Sequence, residues 1–126
     1  MKVTKDIIEN PGDPVPPIFG GYRPDIIGKS SDPRIQLVIA EAKTVGDVER
    51  THTLCQIDAF IGHLESMQSA NRTFILAVNG PGCEKARNVL NFNCRHRVTE
   101  NIEIELFDGL DFWRLGAPGD TLWRLS

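Results

Sequence analysis

The chain is poor in cysteine, in long apolar runs and in net charge. Its three cysteines, Cys55, Cys83 and Cys94, include no CxxC pair, so neither a disulfide framework nor a zinc knuckle is expected. No apolar run approaches the roughly 18 residues that a membrane-spanning helix needs, and the opening residues lack the apolar stretch of a secretory signal. These absences predict a protein of the reducing cytoplasm with no membrane partner.

The remaining composition is that of an ordinary globular domain. Of the 126 residues, 40% are hydrophobic and 25% are charged, which excludes a disordered or fibrous chain. A chain of this length buries roughly two-thirds of its unfolded surface, which is enough for a core of its own. We therefore interpret residues 1–126 as a single domain that begins with a proline- and glycine-rich segment at residues 10–21.

Positive charge is concentrated in one stretch of the sequence. The net charge is −3, which disfavours nonspecific coating of nucleic acid, yet residues 72–97 hold five basic side chains against Glu84 alone. Such a stretch offers a local positive surface to phosphates, or else is simply a solvated face. The candidate phosphate contacts in it are Arg72, Lys85, Arg87, Arg95 and Arg97.

Apolar runs and alternation predict four strands, over residues 22–27, 35–43, 73–78 and 101–107. The first two are separated by a short polar loop, which predicts an antiparallel hairpin. In the last strand Ile102, Ile104 and Leu106 alternate with glutamates, as expected when one face is buried and the other is polar.

Helical spacing follows the hairpin. Leu54, Ile57, Ile61 and Leu64 recur at intervals of three and four, which predicts a long helix over 47–67 with Asp47 as its N-cap. A shorter helix is predicted over 84–92, and the tail aromatics Phe112, Trp113 and Trp123 are interpreted as a flap that closes on the core. The order strand-strand-helix-strand-helix-strand indicates an α/β domain with a mixed β-sheet, an antiparallel hairpin and flanking helices.

Charged residues meet at the open end of the hairpin. With Pro33 at the centre of the loop, the symmetric register places Asp25 opposite Glu41, with Cβ atoms about 5 Å apart. Glu41 and Lys43 share one face because strand side chains alternate. Two facing carboxylates repel unless a cation lies between them, and Mg²⁺ binds to carboxylates, waters and phosphate. The alternative is an exposed strand end with an ordinary Glu–Lys ion pair.

Pro24-Asp25, then Glu41-Ala42-Lys43, then a helix that carries Gln56 resemble the motif of the PD-(D/E)xK nuclease superfamily. Its members include type II restriction enzymes, Holliday-junction resolvases and RecB-type exonuclease domains. The resemblance covers about residues 20–80, and the predicted long helix and strand after the motif match the order of the superfamily core. Phe60 stands where the QxxxY motif of RecB-like members has tyrosine, so the subfamily stays open.

The resemblance implies a restriction-endonuclease-like fold and Mg²⁺-dependent hydrolysis of phosphodiester bonds in nucleic acid, with DNA favoured and Mn²⁺ as a substitute metal. It implies that Asp25, Glu41 and the backbone carbonyl of Ala42 are metal ligands. It also implies that Lys43 is the catalytic lysine and that Gln56 belongs to the catalytic site.

Two further expectations accompany this interpretation. His52 lies one helical turn before Gln56 and is an additional candidate for phosphate contact. A two-fold homodimer, with one site for each strand of a duplex, is compatible with so small a chain.

A second hypothesis keeps the fold without the chemistry. It is a non-catalytic restriction-endonuclease-like module that binds nucleic acid or another protein. The acidic balance of the chain favours this alternative. Metal binding separates the two hypotheses, because a binding module has no need of two facing carboxylates.

Overall fold

Over the residues that the structure describes, the fold consists of one six-stranded mixed sheet and two α-helices. The structure is a computed structural model and describes residues 21–29, 36–67 and 71–126. The strands lie in the sheet in the order in which they occur in the chain. Their bounds are Ile26–Lys29 (β1), Gln36–Ala42 (β2), Asn71–Ala77 (β3), Ile102–Phe107 (β4), Phe112–Leu115 (β5) and Trp123–Leu125 (β6), and the helices are Thr51–Ser66 (α1) and Cys83–Cys94 (α2).

Strand directions confirm the predicted antiparallel hairpin and the predicted mixed sheet. β1 and β2 are antiparallel, β2, β3 and β4 are parallel, and β5 and β6 continue the sheet antiparallel. Ile26 pairs with Ala40 and Gly28 with Val38, which is the symmetric register expected from the sequence. The carboxyl ends of β2, β3 and β4 therefore meet at one border of the sheet, which we call the carboxyl edge, and β1 and β5 begin there.

Both helices pack on the same face of the sheet. The main hydrophobic cluster joins buried residues of α1 and α2 to alternate residues of the strands, among them Ile39, Phe74 and Ile104. The apolar stripe predicted for α1 belongs to this cluster, with Ile57, Ile61 and Leu64 buried and Leu54 partly buried. A smaller cluster on the opposite face contains Val38, Ala40 and Ile75, with Phe107 and Phe112 packed against it.

The predicted N-cap of α1 is wrong. The helix begins at Thr51, and Arg50 occupies the N-cap position without a side-chain hydrogen bond. Asp47 stabilises the preceding turn instead: its Oδ2 accepts the Thr44 hydroxyl at 2.9 Å and its Oδ1 lies 3.1 Å from Arg50 Nε. The backbone carbonyl of Asp47 accepts the Thr53 hydroxyl at 2.7 Å, so the residue holds the start of the helix from outside it.

The tail is not a flap, because it forms β5 and β6. Trp113 and Trp123 do pack against the main core, but Phe112 stacks on Phe107 with ring centroids 4.6 Å apart.

On β4, Ile102, Ile104 and Leu106 are buried as predicted. The opposite face is only partly polar surface, because Glu103 is partly exposed but Glu105 is fully buried.

The other boundaries differ from the sequence prediction by a few residues. β1 begins at Ile26 rather than at residue 22, because Pro24 has no N–H and the Asp25 N–H bonds to a side chain. α2 ends at Cys94 and is followed by a 3₁₀ turn, Arg95–Arg97. Residues 10–20 of the proline- and glycine-rich segment lie outside the described residues. Within the described ranges, no helix has the length and apolar character required to cross a bilayer.

Candidate metal and nucleic-acid site

Asp25 and Glu41, the acidic pair, face each other at the carboxyl edge. Asp25 lies one step beyond the paired residues Ile26 and Ala40, and its backbone N–H donates to Glu41 Oε1 at 2.9 Å. In return the Ala42 N–H donates to Asp25 Oδ2 at 2.8 Å. The structure thus brings the two carboxylates together, as the register predicts. Each accepts a hydrogen bond from a backbone N–H of the other's strand.

Lys43 lies next to the acidic pair. Its Nζ is 3.4 Å from Glu41 Oε2, and the two side chains are only 15% and 5% exposed. The backbone N–H of Lys43 donates to the Ala77 carbonyl at 2.9 Å, so β2 and β3 remain bonded beyond the end of β2. This bond fixes the backbone that carries the ammonium group, which is held beside the carboxylates and largely out of water.

The charged form of Glu41 is disfavoured in this environment. Burial raises the pKa of Glu41, and the neighbouring Asp25 carboxylate raises it further, whereas the Asp25 N–H and the Lys43 ammonium lower it. The net shift is upward from the ordinary value of 4.5. Two carboxylates that share a site behave in this way until a cation lies between them, and a perturbed carboxyl group of this kind marks a candidate functional site.

Glu41→Gln is expected to raise the stability of the metal-free protein at pH 7. A folded-state pKa above the unfolded value means that stability is fully present below the unfolded pKa and is lost as pH rises through the folded pKa. Glutamine keeps an acceptor for the Asp25 N–H but carries no charge, so the variant escapes that loss.

Thermal melts in EDTA check this expectation. The variant should melt a few degrees above the wild type at pH 7, and the difference should shrink as pH falls towards 4.5. A Glu41→Gln protein that melts below the wild type at pH 7 would show that the charged carboxylate stabilises the fold through its ion pair with Lys43. Burial and repulsion by Asp25 would then not be the dominant effects on Glu41.

The donor set fits a Mg²⁺ ion more closely than a transition metal. Among the described residues, no group of three or more His, Cys, Asp or Glu side chains is arranged to hold a metal. Mg²⁺ does not need such a group, because it keeps several waters and takes one or two carboxylates together with substrate phosphate. Each carboxylate oxygen has two lone pairs, so Asp25 and Glu41 can accept their amides and still bind a cation.

Gln56 and His52, the two candidate site residues on helix α1, differ in exposure. Gln56 is buried, and its Oε1 has no hydrogen-bond partner among the described residues. A buried polar atom without a partner costs about 1–3 kcal/mol, so this oxygen is a ready acceptor for an incoming donor. His52 is exposed with its ring edge-on to Tyr22, and Phe60 is a core residue beside Phe74.

Arg72 and Arg95 hold the fold together rather than facing solvent. Arg72 Nη1 donates at 2.9 and 2.5 Å to two carbonyls at the end of α1, and so caps that helix. Arg95 donates to three carbonyls between β5 and β6 at 2.7–3.2 Å. These bonds occupy N–H groups of both side chains, and their contact with phosphate stays a prediction.

Arg97 has a similar structural role. Its guanidinium group lies 2.6 Å from a carboxylate oxygen of Asp58 and 2.6 Å from one of Glu65. The hydrogen bond from Arg97 lowers the pKa of Glu65, and the same bond raises the pKa of Arg97. The pairing joins α1 to the turn that follows α2, and a phosphate contact by Arg97 stays a prediction.

Lys85 and Arg87 are less committed. Lys85 is half exposed, with Nζ 3.6 Å from Glu49. Arg87 lies over the ring of Trp113 at 5.0 Å from its centroid. The stretch of basic sequence therefore does not form one continuous positive surface, because three of its five cations bond to the chain's own carbonyls and carboxylates.

Sequence reasoning missed a pocket beside Lys43. A cavity of about 320 Å³, which we call the edge pocket, lies where β2, β3 and β4 end, and Lys43, Asn79, Phe107 and Gly109 are among its lining residues. Ligands of open α/β sheets bind outside the carboxyl ends of the strands. That rule, applied to the predicted ends of the strands, was the signal that could have found the pocket.

Comparison with known proteins adds no guide to function. The chain matches no protein-family model, no curated protein and no solved structure. The function of the protein must therefore be inferred from the residues and distances of the site itself.

Proposed function

We propose that the protein is a Mg²⁺-dependent nuclease of the PD-(D/E)xK type, with a restriction-endonuclease-like core. The observation that carries the proposal is the arrangement of Asp25, Glu41 and Lys43. Each carboxylate accepts a hydrogen bond from a backbone amide of the opposite strand. Lys43 Nζ lies 3.4 Å from Glu41 Oε2, and the three side chains lie at the carboxyl edge of the sheet. The low exposure of Glu41 and Lys43 and the raised pKa of Glu41 are what a cation site predicts.

Each residue has a role in this proposal. Asp25, Glu41 and the Ala42 carbonyl hold Mg²⁺, which when bound polarises the scissile phosphate and lowers the pKa of a water. Lys43 places a positive charge beside the phosphate, where negative charge develops in the transition state. The unpartnered Oε1 of Gln56 accepts a hydrogen bond from the substrate or from a water, and so positions that group in the site.

The proposed substrate is nucleic acid, with DNA favoured. The exposed His52 and the half-exposed Lys85 are the foremost candidates for contacts with flanking phosphates, together with Arg87, two residues after Lys85. Mn²⁺ is the proposed substitute metal. The homodimer and the cytoplasmic location stay predictions, and sedimentation of the protein at tens of micromolar tests the former.

The second candidate function is a non-catalytic module of the same fold. It is favoured by the amides of Asp25 and Ala42, which already tie the two strands together through the acidic pair. It is favoured also by the internal use of three arginines. In such a module the acidic pair is a structural link between strands and has no need of a metal.

One experiment separates the two functions. Plasmid DNA and a labelled single strand are incubated with the full chain and Mg²⁺, Mn²⁺ or EDTA, and calorimetry measures binding of each ion to the protein alone. We expect cleavage of at least one of the two substrates with either metal, none in EDTA, and metal binding in the millimolar range or tighter. Protein that binds neither ion at millimolar concentration and nicks no substrate would replace the enzyme with the binding module.

A further inference from the structure

The edge pocket has the size of a site for a single nucleotide. Its volume of about 320 Å³ is at the lower end of the roughly 300–1,000 Å³ typical of ligand sites. A duplex does not fit in such a cavity, whereas one base turned out of a stack does. Proteins that act on unpaired nucleic acid bind such bases in pockets of this kind.

The floor of the pocket is held by the sheet. The Lys43 N–H donates to the Ala77 carbonyl and the Val78 N–H donates to the Phe107 carbonyl, both at 2.9 Å. The hydrogen bonds between strands therefore continue past the ends of β2 and β3. A ligand entering this pocket meets a preformed surface and does not have to order a loop.

The lining of the pocket combines an aromatic ring with an amide. The ring of Phe107 is partly exposed and is backed by Phe112, 4.6 Å away and inclined by 29°. Aromatic rings stack on any base, because every base has a π-face. Asn79 is exposed, lines the same pocket, and its side-chain amide makes no hydrogen bond within the described ranges, so its donor and acceptor can meet the edge of a base.

The rim of the pocket is a rigid turn with an apolar tip. Asp108 Oδ1 accepts the N–H groups of Leu110 and Asp111 at 2.8 and 2.7 Å, and its Oδ2 accepts the Trp113 indole N–H at 3.0 Å. Gly109 supplies the positive φ of 99° that the turn requires. The turn presents Leu110 with 88% of its surface exposed. Leucine side chains in such positions serve as wedges between bases in nucleic-acid complexes.

We propose that the edge pocket receives one unpaired nucleobase next to the scissile phosphate, with Phe107 stacked on that base and Leu110 against its neighbour. Lys43 links the two sites, because it lines the pocket and lies 3.4 Å from Glu41 Oε2. The inference rests on the proposed nuclease function and names its substrate class. That class is nucleic acid with an unpaired nucleotide at the cleavage position, not intact duplex.

The test measures binding and cleavage separately. Fluorescence anisotropy in EDTA gives the Kd of the full chain for a labelled single strand and for the same strand in a duplex, and single-turnover assays with Mg²⁺ give the cleavage rates. The variants are Leu110→Ser and Asn79→Ala. The matched control is Phe92→Ser, because Phe92 on α2 is also 88% exposed and lies outside the pocket.

We expect wild-type protein to prefer the single strand, and each pocket variant to weaken its binding roughly tenfold, the effect of losing a contact to one stacked base. The Phe92→Ser protein should match the wild type. Cleavage with equal rates on duplex and single strand, or pocket variants that behave like Phe92→Ser, would overturn the inference and leave the nuclease proposal intact. Selective binding of the single strand without cleavage by any metal would overturn the nuclease proposal and uphold the pocket.

Discussion

Lys43→Ala is expected to slow cleavage by roughly 10²–10³-fold without weakening Mg²⁺ binding. In the proposed mechanism the ammonium group, 3.4 Å from Glu41 Oε2, stabilises negative charge that develops on the phosphate, and an ammonium group is not a metal ligand. Its removal also relieves competition for the acidic pair, so the affinity for Mg²⁺ should stay the same or rise. Single-turnover rates at saturating Mg²⁺ and calorimetric titration of the ion measure the two quantities.

Arg124→Ala is the matched control for this variant. Arg124 also pairs with a carboxylate, with its Nη2 2.9 Å from Asp120 Oδ1, but its side chain is 44% exposed and it lies on β6, at the edge of the sheet opposite β1. The control should cut nucleic acid within a few-fold of the wild type. If the two alanine variants lose the same activity, or if Lys43→Ala loses Mg²⁺ binding, the proposed catalytic role of Lys43 is wrong.

The hairpin shows how far a sequence can determine a candidate site. The register was predictable because a short polar loop centred on Pro33 leaves one symmetric pairing, and strand side chains alternate. From those two facts follow the opposition of Asp25 and Glu41 and the common face of Glu41 and Lys43. The structure shows both, with amide bonds that close the pair. The two hydrogen bonds from backbone amides to these carboxylates were not predictable, because they depend on side-chain rotamers.

Positive charge shows where sequence reasoning fails. A cluster of arginines in sequence says nothing about the direction in which each guanidinium group points. Arg72 caps the preceding helix α1. Arg95 holds the turn before β6 and Arg97 joins Asp58 and Glu65, because these distant partners come within reach only in the folded chain. Composition does not reveal which partner each arginine will meet.

The predictions for Asp47 and for the tail were wrong for a related reason. Asp47 has the right residue type and position for an N-cap, but Thr44 and Arg50 compete for its carboxylate and the helix starts four residues later. The tail residues carry too short an alternating pattern to identify β5 and β6, since strands of four and three residues gain their stability from pairing with β4. In both places tertiary contacts outweigh local preference.

Glu41→Ala is expected to abolish cleavage at physiological Mg²⁺ by removing a metal ligand. The remaining carboxylate of Asp25 cannot hold the ion alone with the same affinity, so the titration curve should shift to higher metal concentration. Excess Mg²⁺ or Mn²⁺ should then restore part of the rate, which it cannot do for Lys43→Ala. Cleavage rates measured across a metal titration distinguish the two kinds of defect. Glu41→Ala should raise the metal concentration at half-maximal rate, whereas Lys43→Ala should lower the maximal rate.

Two comparisons keep the Glu41→Ala result interpretable. Alanine also leaves the Asp25 N–H without its acceptor, so Glu41→Gln, which keeps an acceptor for that amide, tests the metal role without this structural loss. Glu49→Ala, which removes the exposed partner of Lys85, controls for the loss of one negative charge. Folded Glu41→Gln protein that binds Mg²⁺ as the wild type does would remove Glu41 from the metal site. The acidic pair would then be a structural link between β1 and β2, as the binding-module alternative requires.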